Sequence, residues 1–297
     1  MQLCIGTVQF GMSYGIQGAR QPDLSDVLEI LDVAVCNGVF AIDTAAAYGT
    51  AEDILGIFIN KNKEVRNKIE LTSKLSPNAT DDVKKEVYAT AVRNSLVRSI
   101  KNMNIEYLDN YLLHNPLYLN NDAIVDALLL LKKEGLAIRV GASIYTSDEA
   151  LKAIECGLDV LQIPYSVLDQ RMEKHGILDL ALKNNVKIYS RSAFTQGLIL
   201  MDEDGIPSHL VKARPIISAL NKFCEDHNIT RLQLALAFVS RQSSIDYLVF
   251  GVDNKNQLME VIEASEKAIS SEILEKAKDK FANLNEEVII PSKWEKI

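Results

Sequence analysis

The sequence predicts a (β/α)8 TIM barrel, the closed α/β fold in which eight parallel strands alternate with helices. Eight short apolar or β-branched runs recur along the chain, and longer stretches with a helical spacing of apolar residues separate them. Such alternation favours parallel strands that are joined by right-handed crossovers. The length of 297 residues suits one barrel, so we expect residues 1–297 to form a single domain.

Each predicted strand is a short run with several Val, Ile, Leu or Tyr side chains. Strands that are buried on both faces of a parallel sheet show such near-continuous apolar runs instead of strict alternation. In chain order we expect the strands at residues 3–9, 39–43, 69–75, 108–114, 138–143, 160–166, 186–192 and 246–252.

The clearest predicted helix covers residues 23–38. Its apolar side chains stand at positions 24, 27, 28, 30, 31, 34 and 35, which is the spacing of one helix face, and Gly38 stands where helices commonly end. Comparable patterns cover residues 81–103, 121–135 and 147–157, and the last two also end on glycine.

An open doubly wound sheet is the main alternative to the barrel. That fold normally carries a GxGxxG turn directly after its first strand. The corresponding segment, GTVQFGMSYGIQG, has glycines at 6, 11, 15 and 18, which do not fit this spacing. We therefore prefer the barrel, and no linker, repeat or low-complexity segment divides the chain.

Composition restricts the partners of the protein. A net charge of −8 argues against nucleic acid that is held through its phosphates, although a small anionic ligand stays possible. Four scattered cysteines form no CxxC pair and no zinc spacing, so we expect free thiols, no metal and a reducing compartment. No secretory signal and no apolar run of about 20 residues is present, so we expect no membrane partner and a cytoplasmic location.

Four polar residues stand at predicted strand ends. Asp43 ends the second strand, Tyr48 follows it, Lys74 ends the third strand and His114 ends the fourth. In a barrel of this kind, side chains at the carboxyl ends of strands point into the active-site mouth. Each residue alone also has a structural interpretation, because such aspartates often cap helices and single histidines often serve structure.

Together the four residues make chemical sense as a proton-delivery site. A tyrosine with its ordinary pKa of ~10 is a poor proton donor at neutral pH, and a neighbouring cation lowers that pKa. Lys74 can supply the cation, Asp43 can hold it, and His114 can orient a carbonyl oxygen. The small residues 45–47 between Asp43 and Tyr48 leave space for a flat ring.

The chain resembles the aldo-keto reductase superfamily from its first strand to about residue 265. The most specific match is IDTAAAYGTAEDILG, which contains Asp43 and Tyr48. Further matches are LTSKL, YLDNYLLHNP, VGASIY, VLQIPYS, RSAFTQGL and VFGVDNKNQLMEVI. The resemblance implies that Tyr48 is the general acid, Lys74 modulates its pKa, Asp43 is the partner of Lys74, and His114 orients the carbonyl group.

The resemblance also implies a reduced nicotinamide cofactor in the barrel mouth. Ser143 and Gln162 match positions that bind the nicotinamide carboxamide, although Ile144 replaces the usual asparagine. Arg191 replaces an aromatic residue that stacks on the nicotinamide, and its guanidinium can stack or meet a phosphate. The matches along the pyrophosphate are Ser192, Phe194, Gln196 and Gly197.

The segment after the eighth strand departs most from the family pattern. Members that bind the 2′-phosphate of NADP commonly carry Lys, Ser and Arg there, whereas this chain has Gly251, Val252 and Gln257. Glu260 matches a carboxylate that meets the adenine amino group. The resemblance implies NADP(H) as the cofactor, but these departures from the family pattern leave NAD(H) as an alternative.

The substrate is expected to be a small-molecule carbonyl compound. Phe10 and Tyr14, with Arg20 as a further candidate, stand in the loop after the first strand, where they would form part of the substrate wall. A short loop after the fourth strand predicts an open mouth, so we expect a hydrophilic substrate such as a keto- or aldo-sugar. The alternatives are a lyase that uses Lys74 for a Schiff base, and a non-catalytic subunit that binds nucleotide.

Overall fold

The structure, a computed structural model, describes residues 1–16, 20–81 and 83–294. Its eight strands are β1 (Gln2–Gly6), β2 (Ala41–Asp43), β3 (Glu70–Leu75), β4 (Leu108–Leu113), β5 (Ala137–Ser143), β6 (Val160–Pro164), β7 (Lys187–Arg191) and β8 (Tyr247–Phe250). All pairs are parallel and follow chain order, and β8 pairs with β1 to close the barrel. The predicted fold class is therefore confirmed.

Helices surround the barrel and alternate with its strands. They are α1 (Val8–Gly11), α2 (Leu24–Cys36), α3 (Ala51–Lys61), α4 (Tyr88–Met103), α5 (Asp122–Lys133), α6 (Ser147–Glu155), α7 (Arg171–Lys174), α8 (Ile177–Lys183), α9 (Arg214–Asp226), α10 (Arg231–Ser240), α11 (Lys255–Ser265), α12 (Ser271–Lys280) and α13 (Glu286–Ile289). Short 3-10 segments cover 63–67, 85–87, 116–120, 195–200, 203–205, 208–213 and 291–293. Among the described residues, no helix is long and apolar enough to cross a membrane.

The predicted strands are all present, with ends that differ by a few residues. The largest difference concerns the first strand, which was predicted for 3–9 but ends at Gly6. The backbone turns at Thr7, and α1 follows directly. Three of the predicted helix ends coincide with glycines in the left-handed conformation, which would strain a residue with a side chain: Gly38 (φ 80°), Gly135 (φ 74°) and Gly157 (φ 73°).

Neighbouring residues of one strand face different parts of the core. Ile5 and Leu113 belong to the large cluster that also contains the buried residues of the helices. Cys4 and Leu112, one residue earlier, belong to a second cluster with Tyr189. This alternation is the period of two that a strand imposes on its side chains. Each fully buried large apolar side chain contributes about 1.5–3 kcal/mol to folding.

Polar side chains fill the amino-terminal end of the barrel. Glu70, the first residue of β3, accepts hydrogen bonds from the hydroxyl groups of Tyr189 and Tyr247 and forms an ion pair with Arg139 at 2.9 Å. Asn110 donates to the Tyr189 hydroxyl at 2.9 Å and to Glu70 at 3.1 Å. We call these five residues the Glu70 cluster. They occupy one end of the barrel, and the large cavity lies at the other.

Candidate active site

A cavity of about 660 Å³ opens at the carboxyl-terminal end of the strands. This volume lies within the range of ligand pockets, roughly 300–1,000 Å³. The walls come from the ends of β1, β2, β5, β6, β7 and β8, from the loops that follow them, and from α10 and α11. Asp43, Tyr48 and His114 all border this space.

Lys74 lies fully buried beneath the cavity and pairs with Asp43. On β3 the side chains of Glu70, Thr72 and Lys74 occupy alternate positions, and Lys74 is the one nearest the cavity end. Its Nζ donates to Asp43 Oδ2 at 2.7 Å, to the Thr44 carbonyl oxygen at 2.8 Å and to the Tyr48 hydroxyl at 3.4 Å. An ammonium group has three donors, so every donor of Lys74 has a partner.

The charged neighbours of Lys74 keep it protonated. Burial by itself lowers the pKa of a lysine, because it disfavours the charged form. The negative charge of Asp43 and the contact with Tyr48 outweigh burial, so the pKa of Lys74 lies above its ordinary value. Lys74 is therefore an ammonium ion at neutral pH.

The hydroxyl group of Tyr48 meets this ammonium ion at the edge of the cavity. Burial raises the pKa of Tyr48, Lys74 lowers it, and Asp43 raises it again. The pKa of Tyr48 therefore lies above its ordinary value, contrary to the net lowering that we expected from Lys74. Lys74 acts in the expected direction, but burial outweighs it. Tyr48 keeps its proton at neutral pH.

His114 follows β4 directly and faces Tyr48. The two ring centroids are 5.6 Å apart, with the ring planes at 87°. Burial, together with the charges of Lys74 and Arg191, lowers the pKa of His114 to about 3. The imidazole is therefore neutral at working pH and carries one N–H. Its buried Nδ1 has no hydrogen-bond partner.

Ser143, the last residue of β5, and Gln162, in the middle of β6, are direct neighbours. They are paired in the strand register, and both border the cavity. Gln162 is buried, and its Nε2 donates to Asp43 Oδ1 at 2.7 Å. Both carboxylate oxygens of Asp43 are thereby occupied, one by Lys74 and one by Gln162.

Arg191, at the end of β7, borders the cavity without a carboxylate partner among the described residues. Its guanidinium lies 4.4 Å from the centroid of the Tyr145 ring and donates to the carbonyl oxygen of Ile144 at 2.9 Å. The buried Nε has no hydrogen-bond partner. An unpaired guanidinium in a cavity can bind an anionic group.

The segment after β7 runs along the same wall. Ser192, Phe194, Gln196 and Gly197 all border the cavity. Gln196 and Gly197 have positive φ angles of 56° and 94°. Gln196 Nε2 donates to the Tyr14 hydroxyl at 3.2 Å, so the loops after β1 and β7 meet there.

The loop after β8 and the first turns of α11 form the far end of the cavity. Gly251, Gln257 and Glu260 border it, and Asp253 joins them. Lys255 does not, because its Nζ forms an ion pair with Glu29 of α2 at 2.6 Å. Among the described residues, Arg191 is therefore the only arginine or lysine that borders the cavity.

The predicted substrate wall is only partly present. Tyr14 borders the cavity, but Phe10 does not: the helical turn of α1 directs this ring into the core, where it is fully buried. Arg20 also lies away from the cavity and pairs with Asp23 at 3.4 Å on the surface. Positions 17–19 of the same predicted loop lie outside the described residues.

Several cavity residues had no predicted role, and three of them carry polar side chains close to predicted ones. Tyr145 stacks on Arg191, Asp253 lies in the loop after β8, and Gln9 packs against Gly251. A β-carbon on Gly251 would lie 2.4 Å from the Gln9 side chain, so this glycine leaves room for Gln9. Gln9 was the last residue of the first predicted strand, and a polar residue at that position was an available signal.

A family model described as "Aldo/keto reductase family" matches residues 2–281. One curated relative, "NADH-specific methylglyoxal reductase" of Escherichia coli (strain K12), is 25% identical over 265 residues, which cover 79% of this chain and 81% of that protein. Another, "Glyoxal reductase" of Bacillus subtilis (strain 168), is 28% identical over 196 residues and covers 64% of this chain and 66% of that protein.

Solved structures are similar in fold. An aldo-keto reductase from Bacillus halodurans in its holo form superposes with a TM-score of 0.75 at 18% identity, and covers 97% of this chain and 94% of that one. A thermostable aldo-keto reductase in complex with the inhibitor epalrestat gives a TM-score of 0.71 at 22% identity, and covers 93% and 94%. At these identities the likeness concerns the barrel alone.

Proposed function

This chain belongs to the aldo/keto reductase family, and from that premise we propose that it transfers a hydride from a reduced nicotinamide cofactor to a carbonyl substrate, with Tyr48 as the general acid. One observation carries the proposal. The fully buried Lys74 binds Asp43 at 2.7 Å and the Tyr48 hydroxyl at 3.4 Å, and Tyr48 borders the cavity.

Each member of the group has a distinct chemical task in this proposal. A bound reduced nicotinamide supplies the hydride to the carbonyl carbon. Tyr48 gives its proton to the carbonyl oxygen, and the ammonium group of Lys74 stabilises the phenolate that remains. The neutral imidazole of His114 donates its N–H to the same oxygen and orients it. Asp43 holds Lys74 in place and balances its charge.

The cavity offers suitable partners for a nicotinamide cofactor. Ser143 and the free Oε1 of Gln162 can bind the carboxamide. Arg191, which has no carboxylate partner among the described residues, can meet a negatively charged part of the cofactor. Gly251 and Gln257 border the far end of the cavity, where the N–H of Gln257 is already bound by the side chain of Asn254.

We propose NAD(H) as the preferred cofactor, although the resemblance by itself predicts NADP(H). The far end of the cavity carries two carboxylates, Asp253 and Glu260, and its nearest lysine, Lys255, is paired with Glu29. A carboxylate can accept a hydrogen bond from a ribose 2′-hydroxyl but repels a 2′-phosphate. The relative in Escherichia coli that bears the name NADH-specific agrees with this proposal.

We propose a hydrophilic aldehyde or ketone as the substrate, and a keto- or aldo-sugar as one candidate. Tyr14, Gln9 and Gln196 supply polar groups at the cavity, which suits a hydroxylated compound. The curated relatives are named for methylglyoxal, glyoxal and L-glyceraldehyde 3-phosphate. A panel of keto-sugars, aldo-sugars and simple aldehydes tests the idea, and turnover of simple aldehydes alone would exclude the sugars.

The geometry argues against a Schiff-base lyase. A nucleophilic lysine must lose its proton, whereas Asp43 and Tyr48 hold the pKa of Lys74 above its ordinary value. All three donors of its ammonium group are also engaged. Borohydride in the presence of carbonyl compounds should therefore leave no adduct on Lys74.

The Tyr48→Phe variant tests the proposed function most directly. It removes the proton donor but keeps the ring that packs against His114. We expect NADH binding, measured by cofactor fluorescence, to persist while kcat for carbonyl reduction falls by at least about 100-fold. Full activity in this variant would refute the assignment of Tyr48, and intact binding without turnover in the wild type would favour a non-catalytic subunit.

We also propose a reducing compartment, such as the cytoplasm, as the site of action. All four cysteines are free, and Cys4 and Cys224 are buried. Burial raises the pKa of the Cys224 thiol to about 11, so it is unreactive at neutral pH. These thiols give no sign of a disulfide framework.

A further inference from the structure

Gln162 makes a contact that the predicted carboxamide role does not require. Its Nε2 donates to Asp43 Oδ1 at 2.7 Å across the interior of the barrel. β2 and β6 stand four places apart in a ring of eight strands, so the bond joins opposite walls. The two residues are 119 positions apart in the chain, and both are almost completely buried.

This bond determines how Gln162 faces the cavity. A side-chain amide has one NH2 group and one carbonyl oxygen, and the NH2 group is committed to a carboxylate, which can only accept. The oxygen, Oε1, accepts no hydrogen bond from the described residues. It is also not one of the fully buried atoms that lack a partner, so it is exposed to the cavity that Gln162 borders. The orientation of the amide is therefore set by Asp43 before any ligand enters.

Asp43 in turn depends on this amide. Its other oxygen binds Lys74, and Lys74 contacts the Tyr48 hydroxyl. A continuous path of hydrogen bonds therefore leads from Nε2 of Gln162, through Asp43 and Lys74, to Tyr48. Chains of this kind polarise each other in a protein interior, where hydrogen bonds to charged groups are stronger than neutral ones.

We propose that Gln162 is a positioning residue, which fixes Asp43 by donating its Nε2 to the oxygen that Lys74 leaves free, and thereby connects the nicotinamide pocket to the proton donor Tyr48. The inference rests on the proposed function. It assigns to Gln162 an effect on the chemistry of Tyr48 in addition to its predicted contact with the cofactor.

Loss of the amide should make Tyr48 harder to ionise. Without the Gln162 donor, one oxygen of the Asp43 carboxylate is unpaired and its negative charge is less well compensated. Asp43 then attracts Lys74 more strongly, and it repels a negative charge on the Tyr48 oxygen more strongly. Both changes raise the pKa of Tyr48. The titratable or charged groups around Tyr48 are Asp43, Lys74, His114, Arg191 and Tyr14.

The Gln162→Leu variant tests the proposal, with Ser143→Ala as the matched control. Ser143 borders the same pocket on the neighbouring strand but makes no hydrogen bond to Asp43. We expect both variants to bind NADH about two- to tenfold more weakly, as loss of one hydrogen bond implies. In Gln162→Leu alone, the ionisation of Tyr48 should also shift upward by about half a pH unit to one unit.

Two readouts separate this effect from simple cofactor binding. The first is tyrosinate absorbance against pH in the cofactor-free protein, with Tyr48→Phe subtracted. The second is the pH profile of kcat. If Gln162→Leu titrates like the wild type and loses only cofactor affinity, as Ser143→Ala does, Gln162 is a cofactor contact and the proposal is wrong.

A near-isosteric variant guards against unfolding. Gln162→Met keeps about the length of the side chain but has no N–H donor for Asp43, so we expect the same upward shift of the Tyr48 ionisation as in Gln162→Leu. An unshifted titration in Gln162→Met, with thermal unfolding intact, would also contradict the proposal. Absence of any carbonyl reduction by the wild type would reject the proposed function, but the tyrosinate titration would still test the role of Gln162.

Discussion

At the scale of single residues, the site depends on a buried ion pair in which neither residue can be replaced alone without a large loss of stability. Lys74 is fully buried, and Asp43 is its counter-ion at 2.7 Å. A buried pair of this kind adds little net stability, because desolvation offsets the attraction. Removal of one partner is much more costly, since the other charge is then left uncompensated. The pair therefore fits a functional role better than a role in stabilising the fold.

Asp43→Ala should therefore destabilise the fold by about 3–5 kcal/mol, as expected for an unpaired buried ammonium ion. The double variant Asp43→Ala with Lys74→Met removes both charges and should recover part of that loss. Urea unfolding of the wild type, the two single variants and the double variant gives the coupling free energy. Strictly additive effects would show that the two charges do not stabilise each other.

The pH dependence of carbonyl reduction should follow Tyr48 and not His114. The pKa of His114 is about 3, so this ring stays neutral and gives no acidic limb near neutral pH. As the proposed general acid, Tyr48 must carry its proton, and its pKa lies above the ordinary value of 10.0. We expect kcat to be constant from about pH 5 to 9 and to fall only above about pH 10.

Steady-state rates in buffers of constant ionic strength provide this profile. Tyr48→Phe should abolish the alkaline limb together with most of the activity. A limb near pH 7 in the wild type would show that a different group supplies the proton.

At the scale of elements, the eight strands could be predicted because buried parallel strands are near-continuous apolar runs. Their ends were less predictable. The β-branched residues Thr7 and Val8 favour a strand, but the backbone turns at Thr7 and forms α1. This turn explains why Phe10 was wrongly expected at the cavity, since sequence alone does not tell which side of a one-turn helix an aromatic ring faces.

The same limit applies to the site. The order of Asp43, Tyr48 and Lys74 along the chain, and the resemblance, were enough to predict that these residues meet. The bond between Gln162 and Asp43 was beyond prediction, because it joins strands on opposite walls of the barrel. The positions of Gln9 and Asp253 depend on loop conformation, which no periodic pattern determines.

The loop between β8 and α11 should decide the choice of cofactor. Asp253 borders the cavity there, and its carboxylate has no hydrogen-bond partner among the described residues. We expect the wild type to bind NADH at least about tenfold more tightly than NADPH, and Asp253→Asn to narrow this difference by about tenfold. Fluorescence titration with both cofactors measures the two affinities.

Two further variants define the cause of the preference. Glu266→Gln removes the same charge at the opposite end of α11 and should leave the ratio unchanged. Glu29→Gln releases Lys255 from its ion pair and should improve NADPH binding if that lysine can reach the 2′-phosphate. If Asp253→Asn and Glu266→Gln change the ratio of NADH to NADPH affinity equally, the preference comes from the net charge of the protein and not from the position of Asp253.

At the scale of the whole molecule, the Glu70 cluster ties distant parts of the barrel together. Glu70 on β3 binds groups from β4, β5, β7 and β8. Burial by itself would raise the pKa of Glu70, but hydrogen bonds from Tyr189 and Asn110 and the charges of Arg139 and Lys187 lower it to about 2.

A single domain of residues 1–297 remains our proposal for the chain.

Glu70 should make the protein sensitive to acid. Its folded pKa of about 2 lies below the ordinary value of 4.5, so its contribution is complete above pH 4.5 and is lost as the pH falls toward 2. Glu70→Gln should therefore lower Tm at pH 7, and should lose less further Tm than the wild type on acidification to about pH 3.

Thermal scans at both pH values test this expectation. Glu272→Gln is the control, because it breaks an exposed pair with Lys276 and should change Tm little. The same acid-induced loss of Tm in Glu70→Gln and the wild type would assign the sensitivity to other groups.

Because Lys74 is buried, chemical labelling of its side chain can measure how often the barrel opens. Amine-reactive reagents need an exposed, unprotonated nitrogen, whereas this nitrogen is covered and held as an ammonium ion. Lysines on the surface should be acylated quickly, and Lys74 only when the barrel opens. Mass spectrometry of the peptide that contains Lys74 would then measure the free energy of that opening. A ligand that closes the cavity should slow this labelling in proportion to its affinity.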